Sequence, residues 1–286
     1  MFPEGPPSLG RVLVIIPTYN EIDNIDMIVG RLRAATPHVE VLVVDDNSPD
    51  GTGVRADELA ATDDQVHVLH REGKEGLGAA YLAGFGWGLE RGYDVLVEFD
   101  ADGSHQPEEL PRVLAALERA DMVKGSRWVR GGSVINWPRS REFLSRGGSL
   151  YTRMMLGLPI KDITGGLNAF RAPILQAALA HPIDQHGYGI QRDLTWHVYS
   201  NGGRIVEVPI EFREREHGDS KMDGAVVVEA MRSTTRLGLQ HRGRQLRALA
   251  GRARAGADTV GRTAGRLAGS VWTAGTRAAQ RRRGGD

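Results

Sequence analysis

The sequence predicts an α/β protein with a mostly parallel β-sheet flanked by helices. In the first half of the chain, short runs rich in β-branched residues alternate with segments of helical pattern, an order typical of parallel sheets. The runs are continuously apolar rather than alternating, as expected for strands covered on both faces. With 286 residues, 41% of them hydrophobic, the chain is long enough to bury such a sheet.

Four strands and three helices are predicted in the first hundred residues. The predicted strands are 11–19, 39–46, 65–71 and 94–102, and the predicted helices are 21–35, 53–62 and 76–91. Beyond residue 120 the pattern is less regular. There we predict a strand in "MVKGSRW", a glycine-rich loop in "VRGGSVINWP", a helix over 139–157, a turn in "IKDITGGLNAFR", a helix at about 188–200 and a strand in "GRIVEVPIEFRE".

Composition divides the C-terminal part from the rest. We predict an N-terminal extension (1–10), a main domain (11–222), a C-terminal amphipathic helix (223–240) and a basic tail (241–286). Residues 240–286 hold eleven arginines against two aspartates, about +9, so the rest of the formally neutral chain carries about −9. Such a tail favours an anionic membrane surface, and we expect it to be disordered in water or helical at a bilayer. It lacks the aromatic platforms of nucleic-acid binders, so no nucleic-acid partner is expected.

Three absences limit the possible classes. The chain has no cysteine, which excludes disulfides and thiolate metal sites. No window approaches eighteen consecutive apolar residues, so no transmembrane helix is expected. The first ten residues show no secretory pattern, and we expect the protein to stay inside the cell.

Polar clusters follow three predicted strands: "PTYNE" (17–21), "DDNSPDGT" (45–52) and "DADGSHQP" (100–107). Ligands of parallel sheets bind at the carboxyl ends of the strands. Asp100 and Asp102 repel each other unless a cation compensates, and Mg²⁺ is commonly held by one or two carboxylates and substrate phosphates. The alternative is an acidic turn in which Asp102 caps the next helix.

The second cluster has two interpretations. Asp46 and Asp50 are candidates for accepting hydrogen bonds from a nucleoside, whereas Ser48 or Asp50 could instead cap a helix. Neither GxGxxG after the first strand nor GxxxxGK[ST] occurs, so dinucleotide-binding and P-loop modes are disfavoured.

Five stretches of the chain resemble, in order and spacing, the family 2 inverting glycosyltransferases of GT-A fold. These stretches are "IIPTYNE", "VVDDNSPDGT", "FDADGSHQP", "GSRW" and "SRG". Within that family the chain is most similar to the polyprenol (dolichol) phosphate mannose synthases, over about residues 11–224. The resemblance implies transfer of mannose from GDP-mannose to a polyprenyl phosphate with inversion. It also implies a bound Mg²⁺ or Mn²⁺.

The resemblance further implies roles for individual residues. Asp100 and Asp102 would bind the metal. Some relatives have a glutamine where this chain has Ser104, so Ser104, His105 or water is the candidate third ligand. The implied donor-binding residues are Pro17, Tyr19, Glu21, Asp46, Asp50, Asp100, Asp102 and Lys221.

The implied contacts of the acceptor phosphate are Arg127, Arg141, Ser145 and Arg215. The implied catalytic residues are Asp100, Asp102, Arg127 and Arg215. On a helix over 139–157, Arg141 and Ser145 share a face. A phosphate monoester is largely ionised at neutral pH. Catalysis then needs positioning and electrostatics rather than a general base.

Two other functions remain open at this point. The same chemistry could use UDP-glucose or another UDP-sugar, and a different class would be a noncatalytic sugar-nucleotide-binding scaffold. The expected location is peripheral, at the cytoplasmic face of the cell membrane. Attachment would use the helix over 223–240 and the basic tail, or an integral-membrane protein partner, as in some actinobacterial relatives.

Overall fold

A computed structural model describes residues 9–183, 189–214, 228, 230–239 and 242–243 of the chain. The chain forms two compact units, Met1–Thr234 and Thr235–Asp286. In the second unit the described residues, 235–239 and 242–243, are helical. Of the predicted helix over 223–240, the described residues 228 and 230–239 are helical.

The first unit contains a seven-stranded sheet and a small two-stranded sheet. The strands of the large sheet are β1 (Val12–Thr18), β2 (Glu40–Asp45), β3 (Val66–His70), β4 (Val95–Glu98), β5 (Met122–Ser126), β7 (Asn168–Arg171) and β8 (Ile205–Pro209). Their order is β3-β2-β1-β4-β7-β5-β8, and β7 is antiparallel to both neighbours. The small sheet pairs β6 (Ser133–Ile135) with β9 (Glu211–Arg213) in parallel.

Helices cover both faces of the large sheet. They are α1 (Ile22–Ala35), α2 (Thr52–Thr62), α3 (Leu77–Glu90), α4 (Leu110–Ala116), α5 (Arg139–Leu156), α6 (Ala172–Leu179) and α7 (Gly189–Ser200). Alternate residues of β1 enter two separate cores, since successive side chains of a strand point to opposite faces. Val14 packs with Ile25 of α1, whereas Leu13 packs with Phe85 of α3 and Leu194 of α7.

The predicted elements of the first hundred residues are present within a residue or two, apart from the fourth strand, which ends at Glu98. The turn predicted in "IKDITGGLNAFR" is only partly correct, because its last four residues form β7 in the middle of the sheet. Four residues beginning with a buried asparagine, Asn168, give no apolar pattern to detect. The strand predicted in "GRIVEVPIEFRE" divides after Pro209 into β8 and β9, and α4 and α6 were not predicted.

Parallel pairing brings the polar clusters to one rim. Thr18 at the end of β1 lies opposite Asp45 at the end of β2, and β4 pairs with β1 on its other side. The loops after these three strands therefore leave the sheet at the same edge. Across the part of the chain that the structure describes, no helix combines the length and hydrophobicity needed to cross a bilayer.

Candidate active site

A cavity of about 290 Å³ opens at this rim. The loop after β4 contributes Asp100 and Asp102, the end of β5 contributes Arg127, and α5 contributes Arg141 and Ser145. The structure thus brings both predicted metal ligands and three of the four predicted acceptor contacts to one cavity. The fourth, Arg215, lies outside the described residues, as does Lys221.

Asp100 is held from behind by Tyr81 of α3. The buried Tyr81 hydroxyl donates a 2.8 Å hydrogen bond to Asp100 Oδ1. Burial and the Asp100 carboxylate raise the pKa of Tyr81 well above its usual value, so the phenol stays protonated. On the other side, a Cβ at Gly166 would stand 2.7 Å from Asp100 Oδ2. A side chain at position 166 would therefore displace the Asp100 carboxylate from its present position.

Asp102 closes its own turn. Its Oδ1 accepts a 3.0 Å hydrogen bond from the Ser104 backbone N–H. The short helical turn that follows, Pro107–Glu109, has Gln106 at its N-cap and no side-chain cap. The alternative in which Asp102 caps the next helix is therefore wrong, although an acidic turn is present.

His105 lies beneath the carboxylates. Its ring is buried edge-on against Phe212, with 4.9 Å between ring centroids, and its Nε2 is 3.7 Å from Asp100 Oδ2. Neither ring nitrogen has a hydrogen-bond partner among the described residues. Burial lowers the pKa of His105 to about 4, so the imidazole is neutral near pH 7.

The described residues contain no group of three or more His, Cys, Asp or Glu side chains arranged to hold a metal ion. Two carboxylates lining a cavity nevertheless match the way Mg²⁺ is commonly bound, with substrate phosphates completing its shell. An unpartnered buried imidazole beside one carboxylate adds a potential nitrogen ligand. The site fits a divalent cation shared with a substrate.

Arg127 is paired with Asp162, which sequence analysis did not identify. Its Nε and Nη2 donate to the two Asp162 oxygens at 2.8 and 2.7 Å, and Nη2 also donates to Thr164 Oγ1. Burial opposes ionisation of Asp162, but the Arg127 guanidinium outweighs it and holds the pKa of Asp162 below its usual value. Asp162 lies in "DITGG", so the turn predicted there also supplies a buried counter-charge to the site.

Arg141 is fixed differently. Its Nη1 donates a 3.0 Å hydrogen bond to Glu214, and its guanidinium lies 4.2 Å from the centroid of the Trp137 ring, within cation–π distance. Glu214 and Trp137 were not identified as site residues, because the stretches that contain them were interpreted as a strand and a glycine-rich loop. Arg141 and Ser145 lie one helical turn apart on the α5 surface that lines the cavity.

A buried polar row crosses the sheet behind the site. Lys124 Nζ of β5 donates to Asn168 Oδ1 of β7 at 2.6 Å, and the Asn168 amide donates to Glu98 of β4. Burial raises the pKa of Glu98 to about 8 and lowers the pKa of Lys124 to about 8. This row links the strands whose ends carry Asp100 and Arg127, and it explains the polar residue in β7.

The other predicted donor-binding residues in the described part of the chain lie at the end of β1 or in the loops after β1 and β2, and they do not line this cavity. Tyr19 is covered by the Lys74 ammonium group, 3.9 Å from the ring centroid. Asp46 is buried and accepts a 2.6 Å hydrogen bond from Arg71 Nη1. Burial raises the pKa of Asp46, and the opposing attraction of Arg71 does not cancel this effect. Pro17 is the next-to-last residue of β1.

Asp50 joins the two loops. One oxygen accepts hydrogen bonds from the Thr52 N–H and hydroxyl, at 3.0 and 2.6 Å, and the other accepts from the Ile22 N–H at 3.2 Å. Burial opposes ionisation, but these bonds lower the pKa of Asp50. The Glu21 N–H donates to Thr52 Oγ1 at 2.9 Å. Gly51 is the N-cap of α2 and α2 has no side-chain cap, so neither Ser48 nor Asp50 occupies the capping position, although Asp50 accepts from the first N–H group of both α1 and α2.

Comparison with known proteins agrees with this architecture. Residues 13–179 match the model of the family described as glycosyl transferase family 2. Undecaprenyl-phosphate mannosyltransferase of Micrococcus luteus is 60% identical over 84% of this chain and 99% of its own length. Polyprenol monophosphomannose synthase of Mycolicibacterium smegmatis is 56% identical over 81% of this chain and 88% of its own length.

Two solved structures share the fold. Glucosyl-3-phosphoglycerate synthase of Mycobacterium tuberculosis, in complex with Mn²⁺, UDP and glucosyl-3-phosphoglycerate, superposes with a TM-score of 0.60 at 22% identity, covering 79% of this chain and 80% of that one. Mannosyltransferase PcManGT of Pyrobaculum calidifontis, in complex with GDP-Man and Mn²⁺, gives 0.52 at 18% identity, covering 82% and 75%. The predicted GT-A type fold is confirmed. Because the family match spans more than half of the sequence and both relatives exceed 50% identity, the chain belongs to glycosyl transferase family 2.

Proposed function

We propose that this protein transfers mannose from GDP-mannose to a polyprenyl phosphate with inversion, using a divalent cation. The observation that carries the proposal is the single cavity lined by Asp100 and Asp102 as well as by Arg127, Arg141 and Ser145. Two carboxylates that suit a divalent cation line it together with groups that suit a phosphate. The names of the two relatives, a mannosyltransferase and a monophosphomannose synthase, support the sugar and the lipid acceptor.

Asp100 and Asp102 would hold the cation, Mg²⁺ or Mn²⁺. We favour His105 over Ser104 as a third ligand, because the His105 ring nitrogens have no partner among the described residues and Nε2 already lies 3.7 Å from Asp100 Oδ2. When bound, the cation supplies Lewis-acid neutralisation of the charge on the leaving diphosphate.

The residues of the chain would position the acceptor. A phosphate monoester brings its own anionic nucleophile at neutral pH. Arg127, Arg141 and Ser145 would bind its oxygens through charge-assisted hydrogen bonds. Asp162 balances much of the Arg127 charge in a buried pair, whereas Glu214, the partner of Arg141, is more exposed, so Arg141 would carry more of the net attraction. A single displacement from the far side of the anomeric carbon then inverts its configuration.

The donor base would be bound by the loops after β1 and β2. Asp46, tied to Arg71, offers an acceptor for base N–H groups, and Tyr19 offers an aromatic surface. The complex of PcManGT with GDP-Man favours GDP-mannose over a UDP-sugar as the donor. Arg215 and Lys221 keep their proposed roles as phosphate contacts.

We also propose that the protein binds the membrane peripherally through α5. One face of α5 carries three apolar side chains, those of Phe143, Leu150 and Met154. They are spaced by seven and then four residues, which places them on the same side of a helix. All three are exposed, Phe143 by 81%. Along one side of this apolar stripe lie Arg139, Arg146 and Arg153, a composition typical of interfacial helices on anionic lipid. Phe143 also lines the cavity, so a lipid headgroup at the stripe is next to the proposed acceptor site.

A chain without cysteine suits the reducing, cytoplasmic side of the membrane.

Flotation with anionic phosphatidylglycerol vesicles tests whether the exposed face of α5 binds the membrane. Phe143→Ser should reduce vesicle recovery about tenfold, since burying one large apolar side chain contributes roughly 1.5–3 kcal/mol. Val54→Ser is the matched control, because Val54 of α2 is also exposed (66%) but lies outside the stripe. Equal recovery of both variants would contradict the proposed face and leave the basic tail as the attachment.

The activity is tested with purified protein, Mg²⁺ or Mn²⁺ and a short polyprenyl phosphate. GDP-mannose, UDP-glucose and UDP-N-acetylglucosamine are supplied separately, and sugar transferred to lipid is measured. Transfer from GDP-mannose alone, lost with EDTA, is the expected result. Transfer from a UDP-sugar would replace the proposed donor, and binding of a nucleotide sugar without transfer would favour the noncatalytic scaffold.

A further inference from the structure

α7 contributes one side chain to the cavity wall, that of Gln191. Gln191 is only 2% exposed, and its Oε1 has no hydrogen-bond partner among the described residues. An unsatisfied buried carboxamide destabilises a folded protein. Such groups are rare in native structures, and each one needs an explanation.

The rest of α7 is firmly held. The Gln191 carbonyl accepts a 2.6 Å hydrogen bond from the Thr195 hydroxyl. The next residue, Arg192, donates to Asp193 at 2.8 Å and to the hydroxyl groups of Ser233 and Thr234. Gln191 Oε1, which has no partner among the described residues, is therefore carried by a fixed backbone and not by a loosely packed segment.

The position of Gln191 indicates what it can bind. The same cavity is lined by the proposed metal carboxylates and by the proposed acceptor arginines, so the transferred group has to pass through it. A neutral carboxamide both donates and accepts hydrogen bonds. It matches an alcohol, which also does both, better than a phosphate, for which the cavity already contains arginines.

We infer that Gln191 hydrogen-bonds a hydroxyl group of the transferred sugar. The inference rests on the proposed function, because it takes the sugar to occupy this cavity between Asp100 and Arg141. It assigns to α7 a part in sugar recognition that is separate from metal and phosphate binding.

Isothermal titration of Gln191→Leu with GDP and with GDP-mannose, both in Mn²⁺, tests this role. Leucine removes the amide with little change of volume. GDP affinity should stay within twofold of the wild type, whereas GDP-mannose affinity should fall about tenfold for one lost hydrogen bond. The thermal midpoint should not fall, since the variant removes an unsatisfied polar group.

Gln65→Leu is the matched control. Gln65 also has a buried, unpartnered Oε1, but it precedes β3 at the opposite end of the sheet. This variant should match Gln191→Leu in stability and retain wild-type affinity for GDP-mannose.

A second measurement uses the wild-type protein and needs no folded variant. Among GDP-mannose analogues that each lack one hydroxyl group, one should bind about tenfold more weakly than GDP-mannose. Where Gln191→Leu folds, it should bind that analogue and GDP-mannose equally.

Equal affinity of wild type and Gln191→Leu for GDP-mannose would overturn the inference. A parallel loss of GDP affinity would also overturn it by placing Gln191 at the nucleotide. If the wild-type protein binds neither GDP nor GDP-mannose, both the proposed function and the inference are overturned. If the wild type binds GDP-mannose and Gln191→Leu binds it equally well, only the inference is overturned.

Discussion

The donor side and the acceptor side of the molecule are built in different ways. On the donor side, the loops after β1 and β2 are joined to each other by hydrogen bonds, such as those from the Ile22 N–H to Asp50 and from the Glu21 N–H to Thr52. On the acceptor side, each cavity arginine is oriented by a distant carboxylate. Arg127 and Asp162 are 35 positions apart, and Arg141 and Glu214 are 73 apart.

This difference shows how one rim can serve two substrates. Loops at the ends of adjacent parallel strands meet at one edge of the sheet, so the contacts between them follow from the order of the strands. The acceptor arginines need partners from elsewhere, since a buried guanidinium without a counter-charge is costly. The two sides meet at Asp100 and Asp102, which lie after β4.

The largest effect is expected where the sides meet. Asp102→Ala should reduce sugar transfer about a thousandfold or more, because several kcal/mol of metal assistance are lost and each 1.36 kcal/mol corresponds to a factor of ten. Initial-rate assays with GDP-mannose measure this loss, with the exposed carboxylate variant Asp64→Ala as control. Activity within tenfold of the wild type would refute the metal assignment.

The acceptor side can be tested through its two ion pairs. Asp162→Asn leaves Arg127 buried without its counter-charge and should lower the free energy of unfolding by about 3–5 kcal/mol. Glu214→Gln should cost less than about 1 kcal/mol, because the Arg141 pair is more exposed and screened. Urea denaturation measures both. Equal losses would show that the two arginines are held alike.

A smaller effect is expected behind Asp100. Tyr81→Phe removes the hydrogen bond to Oδ1 and should weaken Mn²⁺ binding about tenfold, the low end for groups that orient a metal ligand. Direct Mn²⁺ titration by electron paramagnetic resonance measures this change. Tyr93→Phe is the control, since that hydroxyl bonds Glu40 instead. Unchanged Mn²⁺ affinity in Tyr81→Phe would make Tyr81 a packing residue only.

The smallest effect concerns pH on the donor side. The ordinary pKa of an aspartate is 3.8. In the folded protein the pKa of Asp50 is lowered below this value, whereas the pKa of Asp46 is raised above it. The stability due to Asp50 is therefore present above pH 3.8 and lost as pH falls through its folded pKa. The Asp46 contribution has the opposite sign, being present below pH 3.8 and lost as pH rises.

Unfolding free energies between pH 2.5 and 6, roughly the range in which carboxyl groups titrate, test these signs. The advantage of the wild type over Asp50→Asn should grow with pH, and its advantage over Asp46→Asn should shrink. Parallel curves for the two variants would contradict the difference between the two carboxyl environments.

Much of the donor side could be predicted from the sequence, whereas less of the acceptor side could. Strands β1 to β3 and helices α1 to α3 follow from continuous apolar runs and helical spacing, and their order implies a shared rim. β7 was missed, because its residues pair with β4 and β5 from a position far along the chain. The roles of the site residues stay predictions, but five of them line one cavity.

The sequence by itself determined the parallel α/β sheet, the polar clusters at the strand ends and the motif order of the family, because these depend on local pattern and short-range order. Only the tertiary structure decided that Asp162 balances Arg127, that Tyr81 supports Asp100 and that Gln191 lines the cavity with an Oε1 that has no partner among the described residues. Each of these contacts joins segments brought together by packing of the helices and the antiparallel strand. Their energies depend on burial, which a single sequence position does not reveal.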